Sequence, residues 1–401
     1  MPLKVISKRI TAQELGITEL SQLLPGASAC FMKDGIGIIG FGQSEILKAK
    51  GPNRILELNQ SWQALVNSAE VTDQANLLGS GLIAFGAITF AAESEAESVL
   101  VIPSAVIGFD GEHYFVSTFN LDTFQPSITT PKKTSLSFSS GDISAEQFSS
   151  NVAQALELIN QQRISKIVLA RDLVASAKDF EAGSALYRLQ NNYPTCYSYL
   201  VDGMLGASPE LLVSVQQSKV SARVLAGTAG RGTDVEVDQA IGQALSHSQK
   251  NLHEHKYAIE SLVASLAEHC SKIEASEIPF SLVLPNLWHL ATDVTAELKT
   301  KTASLELLNS LHPSAAVAGT AKEEALKLIQ EIEQTDRGRY AGPIGWLSAN
   351  GDGIWAIALR GAQYKDNQLT AFAGCGIVQE SNPESELAET NLKFKAVLEN
   401  L

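Results

Sequence analysis

Between residues 196 and 225 four short apolar runs follow one another, at 196–201, 204–207, 211–215 and 219–225, with only two or three residues between them. A parallel strand pair needs a crossover of a dozen or more residues, so strands this closely spaced pair antiparallel. Further strands are predicted at 166–170 (KIVLA), 287–296, 342–347, 354–360 and 368–373, with helices at 304–311 and 321–334 among them. No strict β-α-β alternation or solenoid repeat runs through the chain. The resulting fold class is α+β with large, mostly antiparallel sheets.

A stretch rich in Ser, Thr, Pro and Lys at 125–142 (QPSITTPKKTSLSFSSGD) has the composition of a surface connection and divides the chain into 1–140 and 141–401. The first part offers strands at 81–90 and 112–117 and a helix at 55–67, but no motif that carries chemistry. In the second part Ser144 and Gln147 form a capping-box pattern for a helix running to about Ile164. One long helix is predicted over 235–270, with Leu252, Ile259, Leu262, Val263 and Leu266 on its buried stripe. The final helix opens at Ser381 or Asn382, with Pro383 at its first position.

With 401 residues, 45% hydrophobic and 18% charged, the chain can bury a large core. The apolar runs at 81–92 and 99–109 are too short to span a bilayer, and the N-terminal MPLKVISKRITAQE lacks a signal peptide's apolar core, so a cytoplasmic location is expected. Cys30, Cys196, Cys270 and Cys375 include no C-x-x-C pair, and reduced thiols follow. A net charge of −14 disfavours nucleic acid and anionic membranes as partners. Any small anionic substrate would need the field reversed locally, by a metal ion or by converging Lys and Arg.

Glu386, Glu389 and Lys393, spaced by three and four, share one face of the final helix. By spacing alone they read as a solvated face with one ordinary ion pair. Glu254, in NLHEHKY, is a third carboxylate. Its neighbours His253 and His255 are two apart and point in different directions, which argues against zinc. Carboxylates from two helices suit magnesium, whose charge would offset the acidity of the chain. The glycine-rich segments LAGTAGRG (225–232) and AGCGI (373–377) read as tight turns; they match neither a Walker loop nor a dinucleotide fingerprint, although their N–H groups suit a carboxylate. Lys166, heading an apolar strand, either snorkels to water or is desolvated and free to act as a base. Glu210, in ASPELL between two apolar strands, is its complement, since desolvation keeps a proton available for donation.

Taken together these residues resemble a known family. SKIVLAR (165–171), GASPELL (206–212), LAGT (225–228), KNLHEHKY (250–257), LWHLATDV (287–294), LHPSAAVAG (311–319), DRGRYAGPIGW (336–346), IALRGA (357–362) and AGCGIVQESNPESELAETNLK (373–393) occur in the order found in chorismate-utilising enzymes of the anthranilate synthase component I type. The resemblance implies two large antiparallel sheets packed together with helices outside and a cleft near their ends, with the first 140 residues completing the same unit. It implies Mg2+ held by Glu254 and Glu389, with Glu386 acting through bound water. Gly227, Thr228, Tyr340, Arg360, Lys393 and the backbone of Gly374 and Gly376 would bind the carboxylates of chorismate, and His289 would line the ring site.

Within that family a lysine at the position of Lys166 accompanies water as nucleophile, where amine-adding members usually carry glutamine. The position of a covalent lysine in aminodeoxychorismate-forming members is Ala226 here. Ala316, in PSAAVAG, resembles members that retain the pyruvyl group, where pyruvate-eliminating ones usually have threonine. The resemblance therefore implies isomerisation of chorismate to isochorismate, with Lys166 as base and Glu210 as acid, by a monomer with no obligatory protein partner. GIGIIGFG (35–42) and GLIAFGAITF (81–90) look like the menaquinone branch. Siderophore synthesis, salicylate formation with pyruvate loss, amine addition and non-catalytic chorismate binding are the alternatives.

Overall fold

In the computed structural model, which describes residues 2–401, the chain folds into two sheets of 13 and 10 strands. Pairing is antiparallel apart from Lys4–Ile10 with Glu70–Asp73. The closely spaced run forms two hairpins, Tyr197–Val201 with Met204–Ser208 and Leu211–Gln216 with Lys219–Gly230. They lie in different sheets, so the chain passes from one sheet to the other between residues 208 and 211.

The N-terminal residues extend both sheets. Ala29–Lys33 pairs with Tyr197–Val201 in the larger one, and Ile83–Ala87 pairs with Pro343–Ser348 in the smaller. These four strands also pack across the space between the sheets. One apolar core there joins Trp62, Phe85 and Phe115 to Trp346, Trp355 and Ile377. Each such side chain removed from water contributes about 1.5–3 kcal/mol. Residues 125–138 form neither helix nor strand.

Helices cover the outside. Gln249–Ala267 packs on Lys219–Gly230, Lys322–Glu333 on Lys166–Ser176, and Pro383–Leu398 on Gln368–Ile377. Three local expectations are corrected. The helix begun at Ser144 ends at Asn160; Ser144 accepts from Gln147 N, but the Gln147 side chain bonds Asn151, so the cap is one-sided. The single helix over 235–270 is two, Val235–His247 and Gln249–Ala267. Ser248 turns extended between them (φ −71°, ψ 114°), and its hydroxyl caps the second. Both glycine-rich segments are strand as far as Gly230 and Ile377, with a bulge between Leu225 and Thr228.

Candidate active site

The chain crosses between the sheets twice at one place. Pro209 and Glu210 lead from Met204–Ser208 to Leu211–Gln216, and residues 358–360 lead back from Gly353–Ile357 to Gly361–Lys365. The crossings bond each other: Ala207 N donates to Arg360 O at 3.1 Å, and Ile357 N to Glu210 O at 3.2 Å. Glu210 and Arg360 are thus fixed by backbone rather than by loops. Arg360 holds φ +50°, a left-handed conformation that costs a non-glycine residue about 1–3 kcal/mol and is typically kept where function requires it.

Both residues face a cavity of about 60 Å³, lined also by Gly227, Thr228, Glu254, His289, Ala316, Tyr340, Gly374, Gly376 and Lys393. Typical ligand pockets start at about 300 Å³, so these walls must part to admit a ligand. A larger groove of about 1180 Å³ lies beyond Tyr340 and Arg337, where Arg339 is paired with Asp202, Lys48 with Glu97 and Arg337 with Glu333. In the smaller cavity, by contrast, Arg360 has no carboxylate at ion-pair distance among the described residues, and its guanidinium donates to His289 Nε2 at 2.9 Å. A guanidinium cannot accept, so Nε2 carries the lone pair and the imidazole proton sits on Nδ1, facing Gly227 O at 3.3 Å and Thr228 Oγ1 at 3.1 Å. Burial first, then Arg360 and Lys393, hold the His289 pKa well below its ordinary value, in keeping with a neutral ring.

Thr228 reaches this place because it stands opposite His289 in strand register, just past the bulge. Gly227 in that bulge has φ +86°, and a Cβ there would come within 2.9 Å of Asn251 Cβ; no larger residue fits between strand and helix. Behind the other wall Lys166 heads its strand with no exposed surface, so it does not snorkel. Its Nζ lies 3.4 Å from Glu254 Oε1 and makes no hydrogen bond within the protein. A Cβ on Gly376 would overlap both side chains, at 2.2 Å from Glu254 Oε1 and 2.9 Å from Lys166 Cε. Glu210 is 4% exposed. Burial pushes its carboxyl up to about 8, against the opposing pull of Lys166, a backbone bond from Leu225, Arg360 and Lys393. Tyr340 is likewise pushed up to about 12 by burial and stacks on Phe372.

Lys166, Glu386 and Glu389 stand behind this lining rather than in it. The face of the final helix is not solvated: Glu386 is 1% and Lys393 8% exposed. Lys393 Nζ bonds Glu389 Oε1 at 2.5 Å and Gly374 O at 2.8 Å, and Lys250 Nζ bonds Glu386. Val168 and Ala170 turn their backbone groups away from the Gln368–Ile377 strand, so their partners Gly376 and Gly374 do the same. That strand has no second neighbour beyond Ala371, which leaves this edge open to a ligand.

Among the described residues no three His, Cys, Asp or Glu side chains already stand as a metal-binding group. The three carboxylates nonetheless converge. Burial opposes charge on Lys250, yet Glu386, then Glu389 and Glu254, raise its pKa overall, so its ammonium sits in the field of all three. Glu386 is raised by burial and by Glu389, as expected for like charges packed together. An all-oxygen donor set fits magnesium in kind, although Lys166, Lys250 and Lys393 are each paired with one of the three carboxylates. Lys250, one helical turn before Glu254, was not singled out from sequence, although the i,i+4 spacing was there to read. Replacing Lys250 with Gln should leave the buried Glu386 unpaired and destabilise the metal-free protein by about 3 kcal/mol. It should also tighten Mg2+ binding roughly tenfold, since a competing cation is gone. Thermal melts with and without Mg2+, and calorimetric titration, check both. His255, by contrast, is structural: it bonds Ala226 O and Thr292 Oγ1, and burial lowers its pKa to about 4.

The family described as chorismate binding enzyme matches residues 118–401. The salicylate biosynthesis isochorismate synthase of Pseudomonas aeruginosa is 36% identical over 268 residues, 65% of this chain and 56% of that protein. Isochorismate synthase DhbC of Bacillus subtilis is 35% identical over 266 residues, 63% of this chain and 67% of its own length. The match thus spans little more than half of the Pseudomonas relative. MenF, the menaquinone-specific isochorismate synthase of Escherichia coli, superposes with a TM-score of 0.80 over 100% of this chain and 94% of its own, at 20% identity, a likeness of fold. The sheets and the matched family agree, and the chain belongs to the chorismate-binding enzymes.

Proposed function

We propose that the protein is a magnesium-dependent isochorismate synthase. The observation that carries this reading is the cavity in which the buried carboxyl of Glu210, pushed up to about 8, faces the Arg360 guanidinium, which has no carboxylate at ion-pair distance among the described residues. A cavity that offers a proton donor and an unpaired cation suits an anion from which a hydroxyl must leave. Arg360, Lys393, Thr228, Tyr340 and the Gly374–Gly376 backbone would take the two carboxylates of chorismate, with Gly227 shaping the bulge and neutral His289 beside the ring. Lys166 removes a proton from a water that attacks C2. Glu210 gives its proton to the C4 oxygen, which departs as water while the double bonds shift. The Lys166 proton then returns to Glu210 through water, which completes the cycle. Magnesium held by Glu254 and Glu389, with Glu386 acting through bound water, would supply positive charge for the ring carboxylate. No covalent intermediate is required.

Chorismate incubated with the purified protein and Mg2+ should relax to a mixture with isochorismate that is also reached from isochorismate, and EDTA should stop it. Pyruvate, read by a lactate dehydrogenase couple, should stay far below stoichiometric, because Ala316 offers no hydroxyl beside the pyruvyl group. Stoichiometric pyruvate would instead make the protein a salicylate synthase, and ammonia-dependent product an amine-adding one. The reading includes action as a monomer in the cytoplasm and the menaquinone branch, supported by the two N-terminal segments. Complementation of a menaquinone-deficient rather than a siderophore-deficient strain tests that branch. No described helix is long and apolar enough to cross a membrane.

A further inference from the structure

The strand that carries Lys166 has an interrupted outer edge. Its inner edge pairs with Gln368–Ile377 from Ile167 to Ser176. On the outer edge Gly319–Thr320 reaches only Lys166 and Ile167, and Ser139–Ser140 only Leu173 and Val174. Val168 and Ala170 face no strand in the gap. Val168 N is still held by Ala318 O at 2.8 Å, and two side chains take the groups that remain. Arg337 Nη2 donates to Val168 O at 2.7 Å, and Ala170 N donates to Glu333 Oε1 at 2.7 Å. The two are themselves paired, Nε to Oε2 at 2.9 Å and Nη2 to Oε1 at 2.6 Å, with side chains 4% and 1% exposed. Arg337 Nη1 also donates to Val317 O at 3.1 Å, and the guanidinium lies 4.5 Å from the Phe90 ring centroid.

We propose that Glu333 and Arg337 are a positioning pair for the reaction: a buried ion pair stands in for a missing strand and sets the base strand against the turn that bears Ala316. This rests on the reading of Lys166 as the base. A matched apolar pair would fill the same space and avoid the desolvation of two charges. What it could not do is bond Val168 O, Ala170 N and Val317 O at once. Arg337 borders the cavity, yet four of its five N–H groups are committed to the protein, so it is not placed to bind substrate as Arg360 is. Val168 is two residues from Lys166, Val317 is next to Ala316, and Tyr340 N bonds Arg337 O at 3.0 Å. Arg337 therefore ties together three segments around the site, two through its guanidinium and the third through its own carbonyl.

Arg337→Lys keeps the charge but cannot span these acceptors. Its kcat should fall ~100-fold, the usual cost of an ångström-scale misplacement. KM for chorismate should stay within ~3-fold, because Arg360 and Lys393 are untouched. Glu333→Gln retains an acceptor for Ala170 N and should recover most of that loss. The double variant Arg337→Met with Glu333→Leu removes the pair without leaving one buried charge uncompensated: it should melt below the parent, because Val168 O, Ala170 N and Val317 O lose their partners, yet stay folded and remain ~100-fold slow. Parental kcat in folded Arg337→Lys and in the double variant would overturn the proposal. A parallel rise in KM, or loss of fold in all three variants, would overturn it too, leaving a purely structural pair. Lys166→Ala, run alongside, separates the two readings. If it keeps its turnover, the assignment of the base fails; if it is silent while the Arg337 variants run at full rate, only the positioning fails.

Discussion

Alanine at position 166 is expected to lower turnover of chorismate by ~1000-fold, the range spanned by a lost general base, while magnesium-dependent binding of chorismate persists. Lys166 Nζ makes no hydrogen bond within the protein, so no hydrogen-bond network depends on it, and the groups proposed to bind carboxylates lie on other elements. Its nearest carboxylate, Glu254 Oε1 at 3.4 Å, would lose a competing cation rather than a ligand, so affinity for Mg2+ should hold or rise. Initial rates at saturating chorismate, paired with calorimetric binding, separate the two quantities. Parental turnover in a folded Lys166→Ala protein would remove the residue from the mechanism; loss of binding together with turnover would make it a structural cation instead.

Much of the architecture is legible because strand spacing is a local property. Two- and three-residue connections between 196 and 225 force antiparallel hairpins, whatever the rest of the chain does. What they leave open is which sheet each hairpin joins, since that depends on partners such as Ala29–Lys33 and Gly353–Ile357, far away in sequence. The helix over 235–270 reads as continuous because the apolar stripe from Leu252 to Leu266 dominates the segment, and a single capping serine has little weight against such periodicity. Glycines at 227, 374 and 376 read as turns because local propensity favours that. In the fold they are strand residues: Gly227 makes room for Asn251, Gly376 for the Glu254–Lys166 contact, and Gly374 for the backbone of Leu169 and Ala170. Resemblance gathers Glu210, Arg360, His289 and Glu254 by motif, and the cavity brings these four together. The neutral state of His289 could not be read so, for it is set by burial and by a guanidinium 71 residues along the chain. Glu333 and Arg337 stand at i,i+4, the commonest surface pairing; only their burial reveals them as neighbours of a strand edge.

Glutamine at position 210 should cost ~1000-fold in rate, because the amide keeps the shape of the carboxyl but has no proton to give. The parent should show the matching pH dependence. Burial holds the Glu210 proton to about pH 8, so kcat/KM, which reports the free enzyme, should fall about tenfold per pH unit above that value. The same shift acts on the fold. A carboxyl raised from 4.5 to about 8 binds more protons folded than unfolded between those values, so its contribution to stability is complete below pH 4.5. It is lost by about 1.4 kcal/mol per pH unit as pH rises through that window, and is level above it. Glu210→Gln should abolish that slope in denaturant titrations at pH 5, 6.5 and 8, whether or not any substrate is turned over. A slope unchanged in the variant would mean that the carboxyl is ionised in the folded protein at neutral pH, and the donor of the C4 proton would then have to be sought elsewhere in the cavity.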